Sequence, residues 1–373
     1  MDSFDDETAA AVETARSQLP ETVPGERVVF GFDGYVDRVR EVVADRHDPE
    51  DYDRLDTLAG FGDRVQASVA ADSSLSFEWL QHGTRTGGHT CHLARAFGQW
   101  DFDPVMIGMY GDPVLDTFAE EFADYDLHTL GEPGYTDAVE FDDGKLMLIE
   151  NGDTMDLDWE ALTAAVDAET IRSRLDGAAL LGTGYWAETP DLPDVLAGIV
   201  DCWDELDDPP ATVLVDPGDV RKLDGARLRD GTDVIGRLAE RTRVVVSANR
   251  AETQLLAETY GDDLADASLE AQARAVTETF DASLFVAHGV DCSLVVDGDE
   301  TTSVAVPAVD DPELTTSAGD HFNAGLALAL VAGVDPSGAA VVGNAVAGSF
   351  VRTGEPPTFE AVRAFVDAYE SKF

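Results

Sequence analysis

Short apolar runs recur along this chain with amphipathic stretches between most of them, and that rhythm restricts the fold more tightly than any other feature. The runs are Val28–Gly31, Pro104–Gly108, Ala178–Gly182, Thr212–Asp216, Arg243–Ser247, Leu284–Ala287 and Ser293–Val296. They are apolar on consecutive positions rather than alternate ones, which predicts strands covered on both faces. Stretches such as Asp191–Leu206 and Glu270–Thr279 carry apolar residues at helical spacing. Such an alternation predicts an α/β sandwich with a mostly parallel sheet, whose ligands collect at the carboxyl ends of the strands. Two segments break the rhythm. Residues from about 40 to 80 are polar and irregular, and Ala138–Phe141 with Lys145–Ile149 flank the turn Asp142-Asp143-Gly144 like a hairpin. The segments 35–80 and 132–157 are therefore assigned to a small β-sheet lid on the edge of a single domain spanning 1–373.

Charge narrows the function. The chain holds 75 Asp+Glu against 24 Lys+Arg, a net −51, and its only lysines are Lys145, Lys222 and Lys372. A nucleic-acid binder needs phosphate-neutralising cations along one face, so that class is excluded. The acid is spread along the whole chain, which reads as solvation in very high salt and points to a halophilic archaeal cytoplasm. No apolar run reaches the ~18 residues of a membrane span, and the acidic start MDSFDDETAAAVETARSQLP does not fit a secretory signal. Cys91, Cys202 and Cys292 are far apart and form no C-x-x-C pair, against disulfides or a zinc knuckle. The expected partner is a small molecule, with neither nucleic acid nor membrane.

Three segments carry chemistry. In Thr315-Thr316-Ser317-Ala318-Gly319-Asp320-His321-Phe322-Asn323-Ala324-Gly325, small residues lead straight into an apolar helical run. Backbone N–H groups at such a helix start face an anion. Asp320 beside them suits a base that takes a proton from an attacking hydroxyl, or it simply caps the helix. Asn249-Arg250-Ala251-Glu252 follows the run VVVSAN. It suits a hydrated Mg2+ near phosphates, and equally an N-cap Asn with a capping-box Glu. His82 to His92 gathers three of the seven histidines with Arg85 around Gly87-Gly88. Substrate contact is the first reading. A metal site of His82, His89, Cys91 and His92 is disfavoured because residues 91 and 92 point apart on a helix.

Together and in this order, these segments resemble the ribokinase/PfkB family of carbohydrate kinases, from about Val28 to Pro357. The resemblance implies a ribokinase-like fold and transfer of the γ-phosphoryl of ATP to a sugar hydroxyl. Thr316–Asp320 is similar to the family's T-G-A-G-D signature, which makes Asp320 the catalytic base and Ser317, Ala318 and Gly319 the anion hole. Asn249 and Glu252 match its N-x-x-E motif for Mg2+ and phosphates, with Glu252 acting through water. Gly87 and Gly88 match the substrate-side glycine pair, Ile107–Asp112 the I-G-x-x-G-D strand, Gly289 a nucleotide-side glycine and Asn344 the helix Asn near adenine. The resemblance also implies dimers through the lid.

This sequence departs from that pattern at several positions. Ser317 replaces the first Gly of the anion hole, which is tolerable if its backbone angles stay in an ordinary region. Leu314 stands where many members carry an Asp linked to a monovalent cation, so that dependence stays open. His92 replaces an Asn. Asp37, or else Asp33, is expected to hold the sugar hydroxyls. Arg85, His89 and His92, cations in a chain that has few, favour an anionic acceptor. Ribose 1-phosphate, giving ribose 1,5-bisphosphate, is the first choice, ahead of a fructose phosphate, a nucleoside or a free sugar. A non-catalytic nucleotide- or sugar-binding regulator is the alternative class.

Overall fold

The computed structural model describes residues 4–23, 25–261, 264–310 and 312–373. In chain order its strands are β1 (Arg27–Gly31), β2 (Tyr35–Arg46), β3 (Tyr52–Arg54), β4 (Trp79–Gly87), β5 (Asp103–Met109), β6 (Asp126–Gly131) and β7 (Gly134–Phe141). They continue as β8 (Gly144–Glu150), β9 (Leu180–Gly184), β10 (Thr212–Asp216), β11 (Arg243–Asn249), β12 (Leu284–His288), β13 (Cys292–Asp297) and β14 (Glu300–Ala305). Among the described residues one nine-stranded sheet runs β14-β13-β12-β11-β10-β9-β1-β5-β6. From β6 to β12 all of its pairings are parallel. Each of the seven apolar runs falls in this sheet.

Consecutive apolar residues do what the pattern predicts. Val213–Val215, Val244–Val246 and Leu284–Ala287 are all within 1% of full burial. Alternate side chains feed two separate apolar clusters, Leu214 and Val245 one, Val213, Val215, Val244 and Val246 the other. The parallel expectation fails at the β13 edge. Only residues 289–291 join β12 to β13, and a parallel return needs a crossover of a dozen or more residues. The chain turns back instead, so β13 and β14 are antiparallel.

The second sheet runs β3-β2-β7-β8, with β4 paired to β2. Residues 40 to 80 are thus ordered rather than irregular: β2 extends to Arg46, β3 follows, and a helix spans Leu58–Ala70. Their signal is weak because that helix buries no residue fully, and the middle of β2, from Asp37 to Glu41, is only half-buried. The sheet also takes all of β4, past the segment assigned from the sequence. The hairpin is present, with Phe141 opposite Gly144 across a two-residue turn. A small cluster of Val42, Val139 and Phe141, with Phe61 stacked on Phe77 at 4.3 Å, fastens the Leu58–Ala70 helix to the sheet.

The helix Ala318–Val331 is apolar on every side and buried from Asp320 to Leu330, as expected of one enclosed between layers. It packs on the helix Pro336–Thr353. A Cβ on Gly325 would stand 2.8 Å from the Val342 carbonyl oxygen, so glycine there permits the close approach.

Candidate active site

Asp320 is the third residue of the Ala318–Val331 helix and is 3% exposed. The helix-cap position belongs to Ser317, so Asp320 is not the cap. Its Oδ1 lies 3.0 Å from His89 Nδ1. The Tyr185 hydroxyl, in the turn after β9, reaches Oδ1 at 3.0 Å and Oδ2 at 2.9 Å. Burial alone pushes this carboxyl up, but His89, His92 and Tyr185 outweigh it and bring it down to about 2. His89 is itself buried. Burial favours its neutral form, yet Asp320, Asp216 and Asp33 raise it above the ordinary histidine value. Its Nδ1 is also 3.8 Å from Asp216 at the end of β10. His89, Asp216 and Asp320 therefore form a compact buried group, in which the two carboxylates favour the charged form of the imidazole.

The turn that precedes Asp320 is unusual. Ser317 sits in the left-handed region at φ 66°, ψ 13°, so the condition of ordinary angles is not met. A side chain there costs ~1–2 kcal/mol that glycine avoids. Its Oγ lies 2.9 Å from His92 Nε2, and His92 Nδ1 lies 3.1 Å from Arg95 Nη1. Arg95 is half-buried, its Nε 2.5 Å from Glu121 Oε1 and its Nη2 2.6 Å from Thr86 Oγ1. Arg95 was not singled out from the sequence, although its place three residues after His92 on one helix puts the two on the same face.

Three cavities adjoin at this turn. The first, of about 300 Å3, lies between the smaller sheet and Ser317 and is bordered by Asp37, Arg85, Thr86, His92, Arg95, Glu140 and His321. The second, of about 290 Å3, is bordered by Tyr185, Glu188, Asp216, Asp219, Asn249, Glu252 and Ser317–Asp320. The third, of about 340 Å3, is mostly apolar, with Val306, Pro307, Val309, Phe322, Ala347 and Val351 beside Gly289 and Asn344. Ser317 borders the first two cavities, while Asn249, His288, Ala318 and Gly319 border the second and third.

Carboxylates crowd the second cavity. Burial, reinforced by Asp216, pushes Glu252 up to about 8, and one oxygen of Glu188 is buried without a hydrogen-bond partner. An all-oxygen donor set under this mutual repulsion fits a hard divalent cation. The capping box read from Asn249 and Glu252 is formed, and it does not turn either residue away from the cavity. Asn249 Oδ1 accepts from the Glu252 N–H at 3.0 Å, Glu252 Oε2 accepts from the Asn249 N–H at 2.8 Å, and both residues still face the cavity.

The prokaryotic ketohexokinase family model matches residues 4–369. The chain belongs to this family. It is an ATP-dependent carbohydrate kinase. A ketohexokinase from Haloferax volcanii is 50% identical over 374 residues, 100% of this chain and 99% of that one. Among solved structures, ribokinase from Thermotoga maritima is 17% identical with a TM-score of 0.60, covering 92% of this chain and 99% of its own. Phosphofructokinase-2 from Escherichia coli is 15% identical with a TM-score of 0.62, covering 93% and 99%. These two show the ribokinase-like fold.

The kinase brings most of the expected residues together, with corrections. Asp33 does not border any of these cavities; its carboxylate accepts from the N–H groups of His89 and Thr90 at 2.7 and 2.9 Å and from Thr90 Oγ1 at 2.6 Å. It anchors the His89–Gln99 helix rather than a sugar, and Gly88 is required there because its φ is 93° and a Cβ would meet Asp33 Oδ2 at 2.6 Å. His89 faces Asp320, not a substrate cavity. Asn344 borders the third cavity, but its amide is taken by Ser293 at 2.7 Å and Tyr369 at 3.1 Å. His82 lies away on β4, paired with Glu41 at 2.9 Å, so the four-residue metal alternative is not assembled. Tyr185, Asp216 and His288 were missed. Their only sequence signal is their place at strand ends.

Proposed function

We propose that this kinase phosphorylates a hydroxyl of a free ketohexose, bound in the cavity between Asp37 and Ser317. The observation that carries this reading is the fate of the cations expected to greet an anionic acceptor. His89 is committed to Asp320, and burial lowers His92 to about 3, leaving it neutral. Arg95 is paired with Glu121. That leaves Arg85, opposite Asp37 in the β2–β4 register, at a cavity that also holds Asp37 and Glu140. Carboxylates and amides suit hydroxyls, whereas a second phosphate gains little from one exposed guanidinium. Ribose 1-phosphate and the fructose phosphates lose their support, and the name of the Haloferax relative supports a ketohexose.

In this reading Asp320 takes the hydroxyl proton. A carboxylate offers about four lone-pair sites; His89 lies on Oδ1 and the single Tyr185 O–H hydrogen is shared between Oδ1 and Oδ2, so Oδ2 keeps acceptor capacity for the substrate. The N–H groups of Ser317 and Gly319 face the transferred charge at the helix start, whereas the Ala318 N–H, also expected there, donates to the Thr315 carbonyl at 3.3 Å. Asp37 and Arg85 position the sugar. Gly87 and Gly88 border none of the three cavities and pack against the Asp37 and Asp33 carboxylates instead. Gly289 and Asn344 wall the apolar cavity that suits a nucleobase. Asn249 and Glu252, with Asp216 and Glu188 near, would hold hydrated Mg2+, which when bound neutralises phosphate charge. The smaller sheet serves as the lid that keeps water from the transfer. A regulator has no use for an ionised carboxylate beside phosphates, which disfavours that class. The acidic composition supports a high-salt cytoplasm.

With ATP and Mg2+ in about 2 M KCl, we expect fructose or another ketohexose to release ADP at least about tenfold faster than ribose, nucleosides, ribose 1-phosphate or fructose 6-phosphate. Chelation by EDTA should stop turnover. Faster turnover of any sugar phosphate would overturn the ketohexose assignment.

The lid also supports a homodimer. Edge strand β8 leaves Leu148 and Ile149 each 47% exposed, and exposed apolar edges invite pairing. Light scattering in the same salt should give twice the 39.9 kDa chain mass, and Leu148→Asp should return it to one. A monomeric wild type sinks this expectation.

A further inference from the structure

Ser317 differs from the glycine expected at its position by a hydroxymethyl group, and the hydrogen bonds around its hydroxyl have a defined direction. An arginine only donates. Arg95 Nη1 at 3.1 Å therefore makes His92 Nδ1 an acceptor, and the neutral ring carries its hydrogen on Nε2. Burial keeps the ring in that neutral form, with Arg95 adding to the effect and Asp320 opposing it. Nε2–H then donates to Ser317 Oγ at 2.9 Å. Glu121 fixes Arg95 from the other side at 2.5 Å, so each bond in the row sets the next. The Ser317 hydroxyl hydrogen is left without an acceptor among the described residues. It stands where the sugar-side cavity meets the phosphate-side cavity, since Ser317 borders both. The left-handed backbone at Ser317 is retained despite its cost, and such outliers collect where a site uses them.

We propose that the Ser317 hydroxyl, aimed by His92 and Arg95, donates a hydrogen bond to the phosphoryl group during transfer, adding a side-chain donor to the backbone anion hole. This rests on the kinase reading of the Ser317–Asp320 turn. His92 and Arg95 are positioning residues: they never meet the phosphoryl group but decide which way the hydroxyl points. A donor placed for the planar, charge-spread phosphoryl strengthens binding there more than in the ground state.

The test uses the full chain in high salt with Mg2+, ADP and ADP with aluminium fluoride, the planar phosphoryl mimic, so that it does not depend on which sugar is the acceptor. Ser317→Gly removes the hydroxyl and suits the left-handed backbone. It should melt no lower than wild type and bind ADP within about twofold. Its affinity for the aluminium fluoride complex should fall about a hundredfold, the effect of losing one oxyanion donor. His92→Leu should lose a similar factor, with no further loss when combined with Ser317→Gly. His92→Gln, whose Nε2 still donates, should recover most of it. Unchanged aluminium fluoride affinity in Ser317→Gly, or losses that multiply in the double variant, overturns the proposal. If Ser317→Gly behaves as wild type while Asp320→Asn is inactive, this inference falls and the kinase reading stands. If wild type binds neither ADP nor its aluminium fluoride complex, both fall.

Discussion

Asp320→Asn should reduce turnover by a factor of at least ~10²–10⁴, the usual contribution of a general base, while ATP binding stays within a few-fold. The amide cannot accept the hydroxyl proton, yet it keeps the shape and one acceptor oxygen for Tyr185. Two buried contacts lose their charge complement, the bonds from His89 Nδ1 and the Tyr185 hydroxyl. His89 keeps Asp216 at 3.8 Å, so its ring is not left without a carboxylate neighbour. The folded Asp320 carboxyl lies at about 2, below its ordinary 3.8. Its ionisation therefore stabilises the fold at every pH above about 4, a contribution lost only as pH falls through about 2. The base is thus charged across any working pH, and an acid-limb loss of wild-type activity near neutrality must come from another group. A variant retaining near-normal kcat would remove Asp320 from the reaction.

Lowering the salt should unfold the protein. From about 1 M to about 0.1 M the Debye length grows from ~3 to ~10 Å, and 75 acids begin to repel one another with only 24 Lys+Arg to answer them. Ion pairs strengthen on the same dilution, so the two effects must be weighed. Most pairs are exposed, such as Arg237–Asp201 at 3.0 Å and Arg241–Asp204, and each such pair contributes ~0–1 kcal/mol. The uncompensated charge of −51 acts across the whole surface and wins. We expect the thermal midpoint to fall by about 10 °C or more over that range, corresponding to a few kcal/mol. A midpoint that is flat, or higher in dilute salt, would show that the acid does not act through self-repulsion.

The larger sheet was legible because its strands are buried on both faces, and consecutive Val, Ile and Leu announce that. The smaller sheet was half hidden. β2 has one crowded end and a middle of Asp37, Arg38, Arg40 and Glu41 that is only half-buried, which reads as a loop. In the site, Asp320, Asn249, Glu252 and the Gly87-Gly88 pair were legible because each lies in a short contiguous motif. Tyr185, Asp216 and Arg95 were not, since strand order alone carries them to Asp320 and Ser317 from distant stretches of sequence. His89 and Asp33 were found but misdirected. Proximity to the glycine pair marks a residue as near the substrate, but the side it faces depends on the helix start that Asp33 anchors.

The three adjoining cavities divide the labour of the chain. One side of the acceptor cavity comes from β2, β4, β7 and β8, all in the smaller sheet, whereas the apolar cavity is walled by the turn after β12, by Val306, Pro307, Val309 and Pro312, and by the Pro336–Thr353 helix. The stretch Thr315–Gly319 touches both, and the Pro336–Thr353 helix sends Phe350 to the acceptor cavity as well. The smaller sheet can therefore change what is phosphorylated without touching the walls that hold the donor, whereas the six residues from Thr315 to Asp320 and the Pro336–Thr353 helix serve both sides and form the hinge of descent that neither is free to rewrite.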